Sequence, residues 1–161
     1  MSDGLPIGVI HFEVRGLPVP QGSSRGFYAR AKGAAKGRVI VTSDNRNLAD
    51  WRRAVAYAAQ PVAPAALWDG PIEVALDFRL PQPKSRPTHA GRGKARHPIL
   101  VFPDRIPDLD KLVRAALDAL TNVVWVDDSR VVGIEARKSY GVPGLTVHAR
   151  LLLTEPDVPT A

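Results

Sequence analysis

The feature that most constrains the fold is an alternation of apolar and polar side chains over residues 72–80. A period of two is typical of a β-strand that buries one face and exposes the other. Such a strand needs partner strands and a layer that covers its apolar side. The apolar positions are Ile72, Val74, Leu76, Phe78 and Leu80.

Two amphipathic helices are predicted on either side of this strand. The first follows the cap candidates Ser43, Asp44 and Asn45 and runs to about Ala59, before Pro61. The second begins at Pro107-Asp108, and its apolar residues fall at helical spacing. These residues are Leu109, Leu112, Val113, Ala116, Leu117 and Leu120.

Further strands precede, separate and follow the helices, which predicts one α+β domain. They are expected at residues 10–14, 38–42, 131–140 and 145–153, the last two as an antiparallel hairpin through Gly141, Pro143 and Gly144. The expected architecture is a mixed sheet with two main helices packed on one face, over residues 1–153. Residues 154–161 are expected to form a flexible tail.

The net charge of +6 favours a polyanionic partner such as nucleic acid. Two segments, around residues 25–38 and 84–96, concentrate the excess and resemble flexible loops rather than membrane-surface helices. A solubilising surface is an equal alternative for a basic patch on its own. The candidate phosphate-binding residues are Arg25, Arg30, Lys32, Lys36, Arg38, Lys84, Arg86, Arg92, Lys94 and Arg96.

Composition narrows the remaining function classes. No apolar run is long enough to cross a bilayer, and no secretory leader is evident, so a cytoplasmic location without a membrane partner is expected. The absence of cysteine excludes disulfides and thiolate metal sites. The four histidines lack zinc-ligand spacing, and no phosphate-cradling glycine motif is present.

An acidic segment at the start of the second helix is the candidate catalytic site. Asp108 precedes the helix, and Asp110 lies in its first turn. The chain must reverse before the next strand, which could bring Asp127 or Asp128 back to the helix start. Convergent carboxylates repel one another unless a hard cation neutralises them, and Mg²⁺ prefers oxygen ligands. Alternatively, Asp108 is only a helix cap, Asp110 pairs with Arg114 on the surface, and Asp127-Asp128 forms a turn.

The whole segment resembles the core of the RusA family of Holliday junction resolvases over residues 107–140. The shared features are Pro-Asp-Leu-Asp-Lys-Leu from Pro107, Ala-Leu-Asp-Ala-Leu in the helix, Trp-Val-Asp-Asp-Ser-Arg from Trp125, and Lys138. The resemblance implies a homodimeric nuclease that uses Mg²⁺, with Mn²⁺ as a substitute, to resolve four-way or other branched DNA by paired symmetrical nicks. DNA recombination and repair are the implied setting.

By position, Asp108, Asp110 and Asp128 match the three catalytic aspartates of the family, with Asp127 as a neighbour that could replace Asp128. The family motif usually has Asn at the position of Lys111 and Lys at the position of Arg114. Arginine keeps the charge but cannot transfer a proton at ordinary pH, so either cation could serve the catalytic site. Lys138 belongs to the matching segment and is a further candidate for DNA binding.

Two readings compete with a junction resolvase. One is a protein that binds branched DNA without cutting it, in which the aspartates only cap a helix and stabilise the fold. The other is a nuclease with a broader preference for flaps or forks. Two further residues of the segment are not expected to be catalytic: Asp118 on the helix is expected to be structural or interfacial, and Trp125 is expected to be a core anchor.

Overall fold

The computed structural model describes residues 8–22, 24–29, 38–43 and 47–152, and within them an α+β architecture. A four-stranded sheet has the order β1-β8-β4-β7, in which β4 pairs antiparallel with β8 and parallel with β7. The sheet is therefore mixed, as predicted. The elements are β1 (Gly8–Arg15), β2 (Ser24–Ala29), β3 (Arg38–Ser43), α1 (Leu48–Ala59), β4 (Ile72–Leu80), β5 (His89–Ala90), β6 (His97–Pro98), α2 (Leu109–Leu120), β7 (Val131–Tyr140) and β8 (Gly144–Leu151).

The predicted hairpin between β7 and β8 is wrong, because β4 lies between these two strands. The connection over residues 141–143 instead passes across the end of β4, where the amide of Gly141 donates to the carbonyl of Leu80 at 2.9 Å. The strand β4, which has the most regular apolar alternation, is thus hydrogen-bonded to a strand on each edge, and its apolar side chains are buried.

Both helices pack on one face of the sheet, as predicted, and build a single core with it. The apolar stripe of α1 includes Trp51 and Val55, and that of α2 includes Leu112 and Leu120. These side chains join the inward residues of β1, β4 and β8 in one cluster. The helix α1 begins after Asn47, later than the predicted caps at residues 43–45, of which 44 and 45 lie outside the described residues.

The two basic segments contain more regular structure than predicted. In the first, β3 agrees with the strand predicted at residues 38–42, whereas β2 lies where a loop was expected. The two strands pair antiparallel and include Arg38 and Arg25. Arg30, Lys32 and Lys36 lie outside the described residues, as does the predicted tail. In the second segment β5 and β6 form a short hairpin. Its tip requires Gly91, which has a φ of +83° and where a Cβ would lie 2.3 Å from the carbonyl oxygen of Ala95.

The face of the main sheet opposite the helices is covered by no described element. It carries charged residues and histidines on β1, β4, β7 and β8, many of them exposed, such as Glu13, His148 and Arg150. Neither α1 nor α2, each of 12 residues, has the length and apolarity needed to cross a bilayer.

Candidate active site

The start of α2 presents two exposed carboxylates. Asp108 is the N-cap residue, but its side chain makes no capping hydrogen bond. Its carboxylate instead lies 2.8 Å from the ammonium of Lys111. The hydrogen bond and the charge of Lys111 hold the pKa of Asp108 below its usual value, and Asp108 raises the pKa of Lys111 in return. Asp108 is therefore ionised, and its carboxylate is not engaged in capping the helix.

Asp110 lies in the first turn of α2 and is also exposed. Within the part of the chain that the structure describes, it forms no ion pair with Arg114, which is exposed one turn further along the helix. The charge of Asp110 contributes to the raised pKa of Lys111. The start of α2 thus holds two acids followed by a lysine, while Arg114 lies one turn further along the helix.

Lys138 fixes the segment that leads into α2. From the helix side of β7, its ammonium donates to the carbonyl oxygens of Arg105 at 2.6 Å and Pro107 at 2.9 Å. These bonds occupy two of its three N–H donors. Its charge also contributes to the lowered pKa of Asp108. Lys138 therefore positions the entrance of α2 in this structure, and its predicted role as a phosphate contact stays a prediction.

Asp127 and Asp128 lie at the other end of the sheet, so the predicted convergence of three carboxylates within one chain is wrong. Both residues precede the start of β7, and at this end of the strand Arg130 pairs with Asp69 at 2.7 Å. Lys138, whose ammonium donates to the carbonyl of Pro107, lies near the other end of β7. A strand of this length covers about 30 Å at roughly 3.3 Å per residue. Accordingly, no group of three potential metal ligands occurs among the described residues.

The two neighbouring acids differ in their surroundings. The Asp127 carboxylate accepts a hydrogen bond from the amide of Ser129 at 2.9 Å and caps a short 3-10 turn. Hydrogen bonds from Ser129 lower its pKa. Asp128 is exposed and has no such bond within the described chain. The turn interpretation therefore suits Asp127, and Asp128 is the better placed of the two to bind a ligand.

Asp118 and Trp125 both make contacts within the fold, and Trp125 is confirmed as a core anchor. Asp118 forms an ion pair with Arg52, which also donates to the side chain of Gln21, so the contact ties α2 to α1. Trp125 is fully buried, and its indole N–H donates to the hydroxyl of Thr121 at 3.3 Å. The Trp125 side chain is therefore not available to contact DNA.

The β5–β6 hairpin leaves the sheet at the same end as the start of α2. Arg92, Lys94 and Arg96 are exposed around its tip. Arg86 at the base of the loop is less exposed and forms an ion pair with Asp104. The predicted DNA-binding residues of this loop therefore divide into three exposed cations at the tip, a paired arginine at the base, and Lys84, which is exposed.

A groove missed by sequence reasoning adjoins the first turn of α2. It is lined by the prolines that follow β1 and β4, together with Arg86, Arg105 and Tyr140. Arg105 is an exposed cation three residues before Asp108. Its place two residues before the Pro-Asp-Leu-Asp segment was the available signal, since a cation close to an acidic motif can contact a phosphate bound there.

Comparison with known proteins identifies the family to which a chain with these acidic and basic residues belongs. The model of the family described as Endodeoxyribonuclease RusA matches residues 18–150. The chain belongs to the RusA endodeoxyribonuclease family. The match includes both acidic ends of the sheet, the basic hairpin and Lys138. RusA membership indicates endodeoxyribonuclease activity, that is, hydrolysis of phosphodiester bonds within DNA, of the kind associated with Holliday junctions.

A relative from Bacillus subtilis (strain 168), named "Uncharacterized protein YqaN", is 29% identical to the chain over 131 residues. The alignment covers 81% of this chain and 87% of the relative. The two proteins are therefore similar over most of their lengths. The relative's name adds no activity to what RusA membership indicates.

Proposed function

We propose that the chain is a magnesium-dependent, structure-selective endonuclease that resolves Holliday junctions by paired symmetrical nicks. The observation that carries this proposal is the first turn of α2, where Asp108 and Asp110 are exposed and the Asp108 side chain does not cap the helix. In a chain of the RusA family, two such carboxylates have the donor chemistry that Mg²⁺ prefers. A bound Mg²⁺ would stabilise charge on a phosphodiester during hydrolysis.

The protein's own groups have distinct roles in this proposal. Asp108 and Asp110 supply oxygen ligands, and Lys111 keeps Asp108 ionised and adds positive charge beside the scissile phosphate. Arg114, one turn further along, contacts a neighbouring phosphate, for which its planar guanidinium is suited. The cations at the tip of the β5–β6 hairpin hold a DNA arm on the same end of the sheet.

The third aspartate requires a second copy of the chain. Asp128 lies at the opposite end of β7 from Asp108, and no side-chain motion covers the length of a strand. A two-fold dimer in which β7 of one copy runs opposite to that of the other would place Asp128 of the partner subunit beside Asp108 and Asp110. Two-fold pairing is the commonest symmetry of homo-oligomers, and it would create two equivalent sites for two strands of a four-way junction.

The first experiment compares nicking of a labelled synthetic four-way junction, a fork and a linear duplex, with Mg²⁺ and with chelator. We expect metal-dependent paired nicks in the junction. Asp110→Asn should abolish nicking but keep junction binding, because it removes a metal ligand and no phosphate contact. Asp50→Asn is the matched control, since Asp50 is an exposed acid in the first turn of α1. Junction binding without any nicking would favour the non-catalytic alternative, and equal nicking of forks would favour the broader nuclease.

The second experiment tests the shared site by complementation. Asp110→Asn and Asp128→Asn chains are co-expressed with different tags, and the mixed dimers are isolated. If each site takes Asp110 from one copy and Asp128 from the other, a mixed dimer contains one intact site and one doubly altered site. It should nick one strand per junction. Dimers that pair Asp108→Asn with Asp110→Asn should stay inactive, and inactivity of both mixed dimers would refute the shared site.

A further inference from the structure

Two histidines lie side by side on the uncovered face of the main sheet. His11 of β1 and His148 of β8 are directly opposite each other in the antiparallel register. Nδ1 of His11 lies 3.2 Å from Nδ1 and 3.1 Å from Nε2 of His148, and the ring centroids are 4.0 Å apart. Both side chains are exposed. Strand pairing thus brings together two imidazoles that are 137 positions apart in the sequence.

We propose that this histidine pair chelates a divalent transition-metal ion, Zn²⁺ or Ni²⁺, at a site separate from the carboxylates of α2. In tetrahedral coordination with Zn–N bonds of about 2.0–2.1 Å, two ligand nitrogens are about 3.3 Å apart. The observed separations differ from that value by only a few tenths of an ångström. Imidazole nitrogen suits Zn²⁺, Cu²⁺ and Ni²⁺, whereas Mg²⁺ prefers oxygen, so the two sites select different ions.

The surroundings leave the pair accessible. On one side Arg150 forms an ion pair with Glu73, and on the other Glu13 accepts a hydrogen bond from the hydroxyl of Thr146 at 3.4 Å. The residue of β4 opposite His148 is Ala75, whose small side chain leaves space beside the ring. Arg150 and Glu73 are thus paired with each other, Glu13 is bonded to a hydroxyl, and no large side chain of β4 stands against His148.

The pair supplies two ligands and not a closed site. No third potential ligand is grouped with these histidines among the residues that the structure describes. The remaining coordination positions are left to water, so the bound ion exchanges readily. Neutral imidazole is the binding form, and acid therefore releases the metal.

The test uses the untagged full-length chain on immobilised Ni²⁺, without DNA and without Mg²⁺, so that it is independent of the proposed nuclease function. We expect retention at pH 7.5 and release by imidazole or by acid. His11→Ala and His148→Ala should each pass through unretained, because one imidazole does not chelate. Equilibrium dialysis against Zn²⁺ should show one ion per chain in the wild type and a loss of binding in both variants.

The chain contains its own matched controls. Its other two histidines, His89 and His97, are not opposite each other in the β5–β6 register, and each ring bonds locally, to Thr88 and to the carbonyl of Ala95. The double variant His89→Ala/His97→Ala should be retained like the wild type, as should Asp110→Asn. Circular dichroism and thermal melting check that each variant is folded. Passage of the wild type, or retention of the folded His148→Ala variant, overturns the proposal.

Discussion

At the scale of single residues, the pairing of Asp108 with Lys111 decides the charge of the proposed metal ligand. The ammonium stabilises the carboxylate and so lowers its pKa from the ordinary value of 3.8. When the pH falls below this lowered pKa, the carboxylate is protonated and can no longer bind a cation well. Protons therefore compete with a metal ion at Asp108 at a lower pH than they would at an isolated aspartate.

Replacement of Lys111 by Met should raise the pKa of Asp108 towards 3.8, because the largest causes of its lowering are the hydrogen bond and charge of Lys111. Carbon-13 NMR titration of the Asp108 carboxyl measures this directly. Lys138→Met should produce a smaller rise, since the charge of Lys138 is the smallest of the lowering causes. An unchanged titration midpoint in Lys111→Met would contradict the ion pair.

At the scale of elements, the turn that follows α2 depends on Trp125. Its indole is fully buried and also bonds to Thr121, while the backbone of the same turn pairs with Trp68. Because this turn sends the chain from α2 into β7, its packing determines where that strand begins. The anchor is therefore expected to contribute to stability and not to DNA contact.

Trp125→Ala should lower the free energy of unfolding by about 3–5 kcal/mol, the usual cost of truncating a buried aromatic side chain. Urea unfolding followed by circular dichroism measures the change. Val142→Ala is the control, because that side chain is 81% exposed and should alter stability very little. A loss for Trp125→Ala as small as for the control would show that the indole is not packed as described.

The elements that sequence reasoning predicted correctly are those whose apolar period is long and regular. The alternation in β4 and the apolar stripe of α2 each report which side of one element is buried, and both are confirmed. Periodicity does not report which strands are neighbours. The hairpin prediction for β7 and β8 failed because they are consecutive in the chain, yet β4 pairs with both.

The candidate site was predictable only in part for the same reason. The acids of α2 were found because they belong to one continuous segment. The position of Asp128 depends on the direction in which the chain leaves Trp125, and that direction follows from the parallel pairing of β7 with β4. The pairing of His11 with His148 likewise depends on register between distant strands. Local residue spacing predicts neither the position of Asp128 nor the pairing of the two histidines.

At the scale of the whole molecule, the basic hairpin places exposed cations at the same end of the sheet as the acids of α2. Exposed cations that neutralise phosphates release counterions, so DNA binding should weaken steeply with salt. Arg92, Lys94 and Arg96 have no carboxylate partner within the described chain, which makes them the strongest candidates for this role.

Replacement of Arg92, Lys94 and Arg96 together by Ala should weaken junction binding and flatten its salt dependence. Each lost phosphate contact lowers the slope of log K against log salt concentration by about 0.9. Fluorescence anisotropy with a labelled junction at several salt concentrations gives the slope. Arg53→Ala is the control, because Arg53 on α1 already pairs with Asp50. A slope unchanged by the triple replacement would exclude the hairpin as a DNA contact.

The strand β7 separates the turn that contains Asp128 from Lys138 and the start of α2, and so acts as a spacer between the two acidic ends of the sheet. Lys138 reaches the entrance of α2 only because it points to the helix side of the sheet, and successive strand residues point to opposite sides. Insertion of one residue into β7 would turn Lys138 away from Pro107, while insertion of two would restore its side but lengthen the spacer by about 6.6 Å. The residue count of this strand is therefore expected to tolerate change far less than that of the basic hairpin.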